Sequence, residues 1–405
     1  MAGRQQMSMT SPRPPTIGTW FWIAFCLALP GASQVEKYFG TLAAIGYFIA
    51  ALPLVVFIGR VVLPFCVKHI RGRRLFIVEV VVLCSLISLF VAVYPIADAR
   101  KRIPAGADRD DALNIAVTEL VDGRYPYYPR TYLDAPISPL PGALLFAAPF
   151  VLLGSSAYQN VFWMLGFYVT SVLYLRSRAA ALLLLCSVFA LCPTVLRDYV
   201  VGSDVFANSI YVLALALLML RAVLRNDARP WHGILAAIAF GVALSSRINF
   251  VLLAAMVVSV IVQKRGWKTA SGFAAVGAAA FVAVTVPFYL YDPGGFSPLH
   301  TLAMTAGFGA VIPLGQYVVP GTMLLLAVLL PLQRMDGADH VFLRNCAIIQ
   351  AWPVVCGIAA SLLASDATID ASFGYAAYGL NFLFFGLLGA WSRLVPRRES
   401  PEVAR

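Results

Sequence analysis

Windows of about 17–25 mainly apolar residues recur along this chain between residues 17 and 391, and they constrain its fold more than any other feature. At 1.5 Å of rise per residue, such a window can cross a hydrocarbon core about 30 Å thick. In lipid the backbone must satisfy its own hydrogen bonds, so these windows have to be helices. Composition agrees: 60% of the 405 residues are hydrophobic, mean hydropathy is +0.82, and 12% are charged, against about 25% in soluble domains. The expected architecture is an all-α polytopic membrane protein.

The windows fall at about 17–33, 41–62, 75–94, 158–175, 180–198, 205–224, 232–247, 248–263, 269–290, 313–332, 341–362 and 371–391. The sixteen residues 139–154 contain Pro139, Pro141 and Pro149 and read as a re-entrant or interfacial piece, giving twelve crossings. A real crossing there, or one long helix over 232–263, keeps the count between ten and thirteen. The net charge of +11 sits in short patches between spans: Lys68–Arg74, Arg221–Arg229, Lys264–Lys268 and Arg393–Arg398. That distribution fits cytoplasmic loops and anionic lipid head groups, and it excludes nucleic acid as the reason for the charge. All seven cysteines lie in apolar stretches and read as small core residues. The first apolar stretch lacks a small-residue cleavage signature and reads as a retained anchor behind a cytoplasmic tail, 1–16. A second basic tail, 392–405, closes the chain.

Against this background residues 95–138 stand out as a long polar segment carrying seven of the nineteen acids (Asp98, Asp108, Asp110, Asp111, Glu119, Asp122, Asp134) and four tyrosines. Connections in helical bundles are usually a few residues long, so a loop of this size calls for a function. Counting spans from a cytoplasmic N-terminus, with the basic hinge KHIRGRR at 68–74 kept inside, delivers this loop to the exterior. Asp110 to Gly123 reads as a short amphipathic helix, with Asp110 able to cap it, Leu113, Ala116, Val117 and Leu120 as an apolar stripe, and Gly123 as its stop. A carboxylate held on its first turn can act as a general base towards an attacking hydroxyl. Outside the cytoplasm the donor cannot be a nucleotide sugar and must arrive on a lipid, whose phosphate needs cationic partners. Arg109, Arg124 and Arg130 in the loop, with Arg247 and His300 at other outward corners, are the candidates.

The runs Asp110-Asp111-Ala112-Leu113 and Gly123-Arg124-Tyr125-Pro126-Tyr127, followed by Pro136, Pro139, Pro141 and Pro149-Phe150, resemble the first exterior loop of integral-membrane GT-C glycosyltransferases. The similarity is to the bacterial polyprenyl-phosphate-sugar-dependent mannosyltransferase-like group, and it continues through GSDVFANS at 202–209, GVALSSRINF at 241–250 and PFYLYDPGGF at 287–296. The resemblance implies a GT-C-like membrane domain over 75–391, preceded by extra spans and the hinge over 17–74. It implies inverting transfer of a mannose-like sugar or a pentose from a polyprenyl-phosphate donor to a glycan, lipid or protein acceptor. The site would lie on the outer face of a bacterial plasma membrane. The role of base falls on Asp110 or Asp111, and substrate contacts on Arg109, Arg124, Tyr125, Tyr127, Arg130, Asp134, Asp204, Arg247 and His300. No cofactor is expected. Some members use a metal, and Asp108 with Asp110 has the D-x-D form for one, but an acid-rich loop matches that form easily.

Each assignment has a structural alternative. Asp110 serves equally as a helix cap and Asp111 as a first-turn acid favourable to the helix dipole. The tyrosines suit the head-group level, and Asp204 begins a span much as an ordinary cap does. Arg247 is either within a single helix, where a charge in lipid is costly, or at an exterior break in it. Glu79 reads as a structural acid with Arg60 as a candidate partner. A transporter or lipid flippase is the competing function, and a noncatalytic scaffold of envelope synthesis the third.

Overall fold

The computed structural model describes residues 15–100, 108–225, 229–300, 307–309, 311–335, 339–364 and 372–395. It is 83% helix with no strand among the described residues, as a chain spanning lipid requires. Among the described residues, seven helices are long and apolar enough to cross a membrane, or eight if one bent pair counts as a single span, and three shorter apolar helices accompany them. This is fewer long helices than the ten to thirteen crossings expected, and the reasons are local. Of the twelve windows, 232–247 and 371–391 form shorter helices, 180–198 is bent by 90° where Pro193 opens a new helix, and the helices at 17–33 and 158–175 carry polar residues within their runs. The segment 139–154, expected not to cross, is also a short helix.

Helix α1 (Ile17–Phe39) is long but mixes polar residues into its apolar run, and it lies in the main core rather than at its edge. Thr194 donates to the Pro30 carbonyl of α1, to which Ser33 also donates. A continuous run of α2 (Thr41–Phe57), a π turn (Ile58–Val62) and α3 (Leu63–His69) leads to α4 (Gly72–Ala99). Helix α4 does not stop at 94 as its sequence suggested. It carries Pro95 inside the helix and continues to Ala99, so Asp98 belongs to its last turn and not to the loop.

After α5 (Arg109–Val121) and α6 (Pro141–Leu152), α7 (Tyr158–Leu175) runs back beside α4. Near the start of α4, buried Glu79 accepts from Tyr168 of α7 and from Arg178, which begins α8 (Arg178–Leu191). Arg178, not Arg60, is therefore the ion-pair partner of Glu79, while Arg60 lies over the Trp20 ring. Near the end of α4, the Tyr94 ring meets that of Tyr158 at the start of α7. Because both ends of the pair are fixed this way, Arg100 after α4 and Ala157 before α7 lie at one end of the bundle. Twelve-residue α6 rises only about 18 Å. Its first residues bond to the same end, Leu140 N–H donating to the Ser246 carbonyl and Gly142 N–H to Ser245 Oγ.

The remaining helices are α9 (Pro193–Val200), α10 (Asp204–Leu224), α11 (Pro230–Leu244), α12 (Leu253–Arg265), α13 (Trp267–Tyr291), α14 (Gly315–Leu329), α15 (Asp339–Ala364) and α16 (Leu380–Trp391). Residues 232–263 are not one helix: Arg247 sits in extended backbone between α11 and a 3-10 turn, Ile248–Leu252. At the end opposite α5, Arg265 donates to the Leu224 carbonyl and Lys264 pairs with Asp339, so the basic turns gather there with the hinge before α4. Helix α10 is central, 61% of its apolar window buried, whereas α4 and α13 bury only 11% and turn the rest outward as a lipid-facing helix would.

The segment carrying α5 and α6 has its own hydrophobic core. Leu113, Ala116 and Val117 of α5 pack with Tyr125, Tyr127, Ile137 and Leu144, closed by Phe296 beyond α13. Leu120, expected on the buried stripe, is only half-buried, and its place on the inner face is taken by Asp110 and Asp111 at the other end of the helix.

Candidate functional site

Helix α5 starts one residue before the sequence suggested. Asp108 takes the N-cap position, without a side-chain cap bond, and Asp110 is the second residue of the helix. Its carboxylate therefore does not cap the helix, and the capping alternative for Asp110 falls away. Asp110 and Asp111 are 2% and 3% exposed, which for two adjacent acids on a helix outside the spans calls for partners. Asp98 faces them from the last turn of α4, one carboxylate oxygen of each lying within 4.8 Å of the others. Tyr94, one helical turn before Asp98 and so on the same face of α4, donates its hydroxyl to Asp110 Oδ2 at 3.0 Å. Ser155 Oγ lies 2.7 Å from the Tyr94 oxygen and itself accepts from Ala157 N–H at 3.2 Å. Ser156 donates to the Asp110 backbone carbonyl (3.1 Å), and its own N–H is held by Asn114 (2.7 Å). The turn before α7 is thus bonded to the first two turns of α5.

Three carboxylates this close repel one another unless donors or a cation compensate. Their oxygens are of the kind a hard divalent cation takes, so Asp98, Asp110 and Asp111 could hold one. Asp108, the other acid of the D-x-D form, is not one of these three and receives the hydroxyl of Thr131.

Arg109 donates to Asp198 Oδ2 at 3.1 Å and to Ser203 Oγ at 3.3 Å, and its guanidinium sits 5.6 Å from the centre of the Tyr378 ring. Burial opposes its charge, but Asp198 first, then Tyr378, Asp204 and Asp108, outweigh that and hold its pKa above the usual guanidinium value. Arg197 binds the other oxygen of Asp198 at 2.8 Å. Arg247 binds Asp204 on the first turn of α10, and Asn208 adds a second donor to the same oxygen at 3.1 Å. Tyr211 then donates to Asn208 (2.6 Å). The fold therefore brings Arg109, Asp204 and Arg247 from the expected set close to the base candidates, each already in a buried or half-buried ion pair.

The other expected contacts lie elsewhere. Arg124 is exposed and bonded to Glu119 and Asp122, and its hydrogen bond holds the Glu119 carboxyl below its ordinary range. Arg130 pairs with Asp134 across an exposed turn in which Asp134 has a φ of 56°. Tyr125 and Tyr127 serve the small core. Tyr125 donates to the Phe288 carbonyl (2.9 Å) and stacks on Tyr291, and Tyr127 meets Phe288 and Phe296 edge to face. Burial pushes the Tyr125 phenol up to about 12 and raises the Tyr127 phenol as well. Asp292, held below the usual carboxylate range chiefly by the Gly295 N–H, anchors this cluster at the end of α13. His300 is exposed at the end of a 3-10 turn, Ser297–Leu299.

Sequence reasoning missed Tyr94, Asp98, Ser155, Arg197, Asp198 and Ser203 as site residues. Two signals were readable: Tyr94 and Asp98 share one helix face at the end of a span, and Arg197-Asp198 interrupts an apolar window. No family model, curated protein or solved structure matches this chain.

Proposed function

We propose that the protein is an inverting glycosyltransferase of the GT-C type that moves a mannose-like sugar or a pentose from a polyprenyl-phosphate donor to a glycan, lipid or protein acceptor. The observation that carries the reading is the pair of buried carboxylates on the first turn of α5, outside the spans and at the end of the bundle opposite the basic turns. By the positive-inside rule that end faces the exterior or periplasm of a bacterial plasma membrane, where the sugar has to come on a lipid.

In the reaction, the acceptor hydroxyl oxygen bonds to the anomeric carbon as the bond from that carbon to the phosphate oxygen breaks. The hydroxyl proton passes to the Asp110 or Asp111 carboxylate, and polyprenyl phosphate leaves with the bonding electron pair. The developing phosphate charge needs donors in a site shielded from water, and Arg109, Arg247 and Arg197 at this end of the bundle are candidates for them. The lipid tail of the donor would lie among apolar side chains such as those that α4 turns outward. No resident cofactor is needed for this chemistry, and a divalent cation at the three aspartates would add charge compensation.

The test is Asp110→Asn with Asp111→Asn in the full-length protein, followed by release of radiolabelled sugar from polyprenyl-phosphate mannose and from its pentose counterpart, with host membranes as acceptor. Transfer should be lost while the protein still inserts and folds, and undiminished transfer by the double variant refutes the assignment.

A further inference from the structure

We propose that Tyr94 is the positioning residue of this site: from α4 it fixes the rotamer of the Asp110 carboxylate, and so aims the base. The inference rests on the glycosyltransferase reading and deepens it by choosing Asp110 over Asp111 as the aimed carboxylate.

Four observations converge. First, the proton order along the chain of hydrogen bonds is determined. Because Tyr94 gives its only proton to Asp110 Oδ2, the 2.7 Å contact with Ser155 requires the serine to donate to the phenol oxygen, and Ser155 in turn takes the Ala157 N–H. A directed chain of this kind polarises each bond in the same sense and strengthens the last one, which is the one to the carboxylate. Second, the phenol ring cannot swing away. It stacks on Phe90 with centroids 5.2 Å apart and planes 4° apart, and it meets Tyr158 edge-on. Third, the turn before α10 closes on the ring: a Cβ at Gly202, whose φ is 73°, would lie 3.2 Å from a Tyr94 ring carbon. Fourth, the backbone of the same aspartate is held independently, by Ser156 on its carbonyl, so both the helix and the side chain of Asp110 are registered on the turn before α7.

Asp98 from α4 and Asp111 from α5 repel the Asp110 carboxylate, while Arg109 from α5 is turned away to Asp198 of α9 and Arg247 is bound to Asp204 of α10. Helix α6, packed against α5, carries no charged side chain. A fixed donor on one oxygen of a carboxylate beside two others favours one rotamer of it. A misplacement of about 1 Å at a reacting group costs about 100-fold in rate.

Tyr94→Phe keeps the ring packing and removes only the hydroxyl. In the transfer assay above, with purified full-length protein, kcat should fall about 10- to 100-fold, the effect of one hydrogen bond to a charged group. The KM for polyprenyl-phosphate sugar should stay within about twofold, because the bond aims the base and does not bind the donor, and any fall in the unfolding midpoint should leave the variant fully folded under the assay conditions. Ser155→Ala, which leaves the phenol but removes its own donor, should give a smaller fall in kcat in the same direction. A Tyr94→Phe enzyme with undiminished kcat, or with a loss confined to KM or explained by unfolding, overturns the inference even when the double aspartate variant is inactive. Activity in the double aspartate variant, or no transfer by the unaltered protein, overturns the glycosyltransferase reading itself and the role of Tyr94 with it.

Discussion

Replacing Asp204 by Asn tests how the buried charges at this end of the bundle are balanced. Asp204 is 1% exposed at its side chain and Arg247 17%, and one oxygen of Asp204 takes donors from both Arg247 and Asn208. Breaking a buried pair by removing one charge typically costs about 3–5 kcal/mol, because the other charge stays buried. The two single variants should differ, since the two partners are not equally buried. In Asp204→Asn the remaining charge is Arg247, which keeps part of its hydration, so the lower figure of about 3 kcal/mol applies. In Arg247→Met the remaining charge is the fully enclosed Asp204, which calls for about 5 kcal/mol. A cost of about 3 kcal/mol lowers the folded-to-unfolded ratio by about two orders of magnitude. The double variant Asp204→Asn with Arg247→Met buries no charge at the pair and should recover most of either loss. Equilibrium unfolding in mixed micelles by increasing SDS, followed by circular dichroism, reads all four proteins. Equal stability of Asp204→Asn and the unaltered protein, or a double variant less stable than both singles, would refute the reasoning.

Two further outcomes follow from the fold. A Cβ at Gly142 would lie closer than 3.0 Å to the backbone carbonyl oxygens of Val242 and Ser245, which cannot move aside as side chains do. Gly142→Ala should therefore push α6 off the end of α11, disturb the bonds from Leu140 to Ser246 and from Gly142 to Ser245, and cost about 1–3 kcal/mol in the same unfolding measurement; an unaltered midpoint would contradict the close approach. In a background lacking the seven native cysteines, Leu133→Cys, 45% exposed beyond α5, should react with an impermeant maleimide only from the non-cytoplasmic side, and Arg74→Cys in the basic hinge only from the cytoplasm. Labelling of position 133 from the cytoplasm alone would end the proposed orientation.

The sequence by itself determined that this chain is helical and built for lipid, because a backbone in hydrocarbon has to bond to itself within each apolar window. It also determined the short helix in the polar segment and its stop at Gly123, which does take a φ of 73° just past the C-cap, since an αL stop is a local property of glycine. The gathering of basic residues between spans followed from composition in the same way, whereas the reading of all seven cysteines as core residues did not hold. Cys26, Cys192 and Cys346 are buried, Cys66, Cys186 and Cys356 are half-buried, and Cys84 is exposed on the outward-turned face of α4. What only the tertiary structure decided was which charges meet. Asp98 and Tyr94 come to Asp110 because α4 runs through Pro95 for another turn, Arg109 finds Asp198 89 residues away, and Arg247 finds Asp204 at a distance of 43 residues. Glu79 chose Arg178 over Arg60 for the same reason. Such pairs depend on how helices of generic apolar surface are set against one another, and in these windows many settings satisfy the same pattern of hydrophobicity. The polar contacts then select among them, because a buried charge left without its partner is too costly to keep.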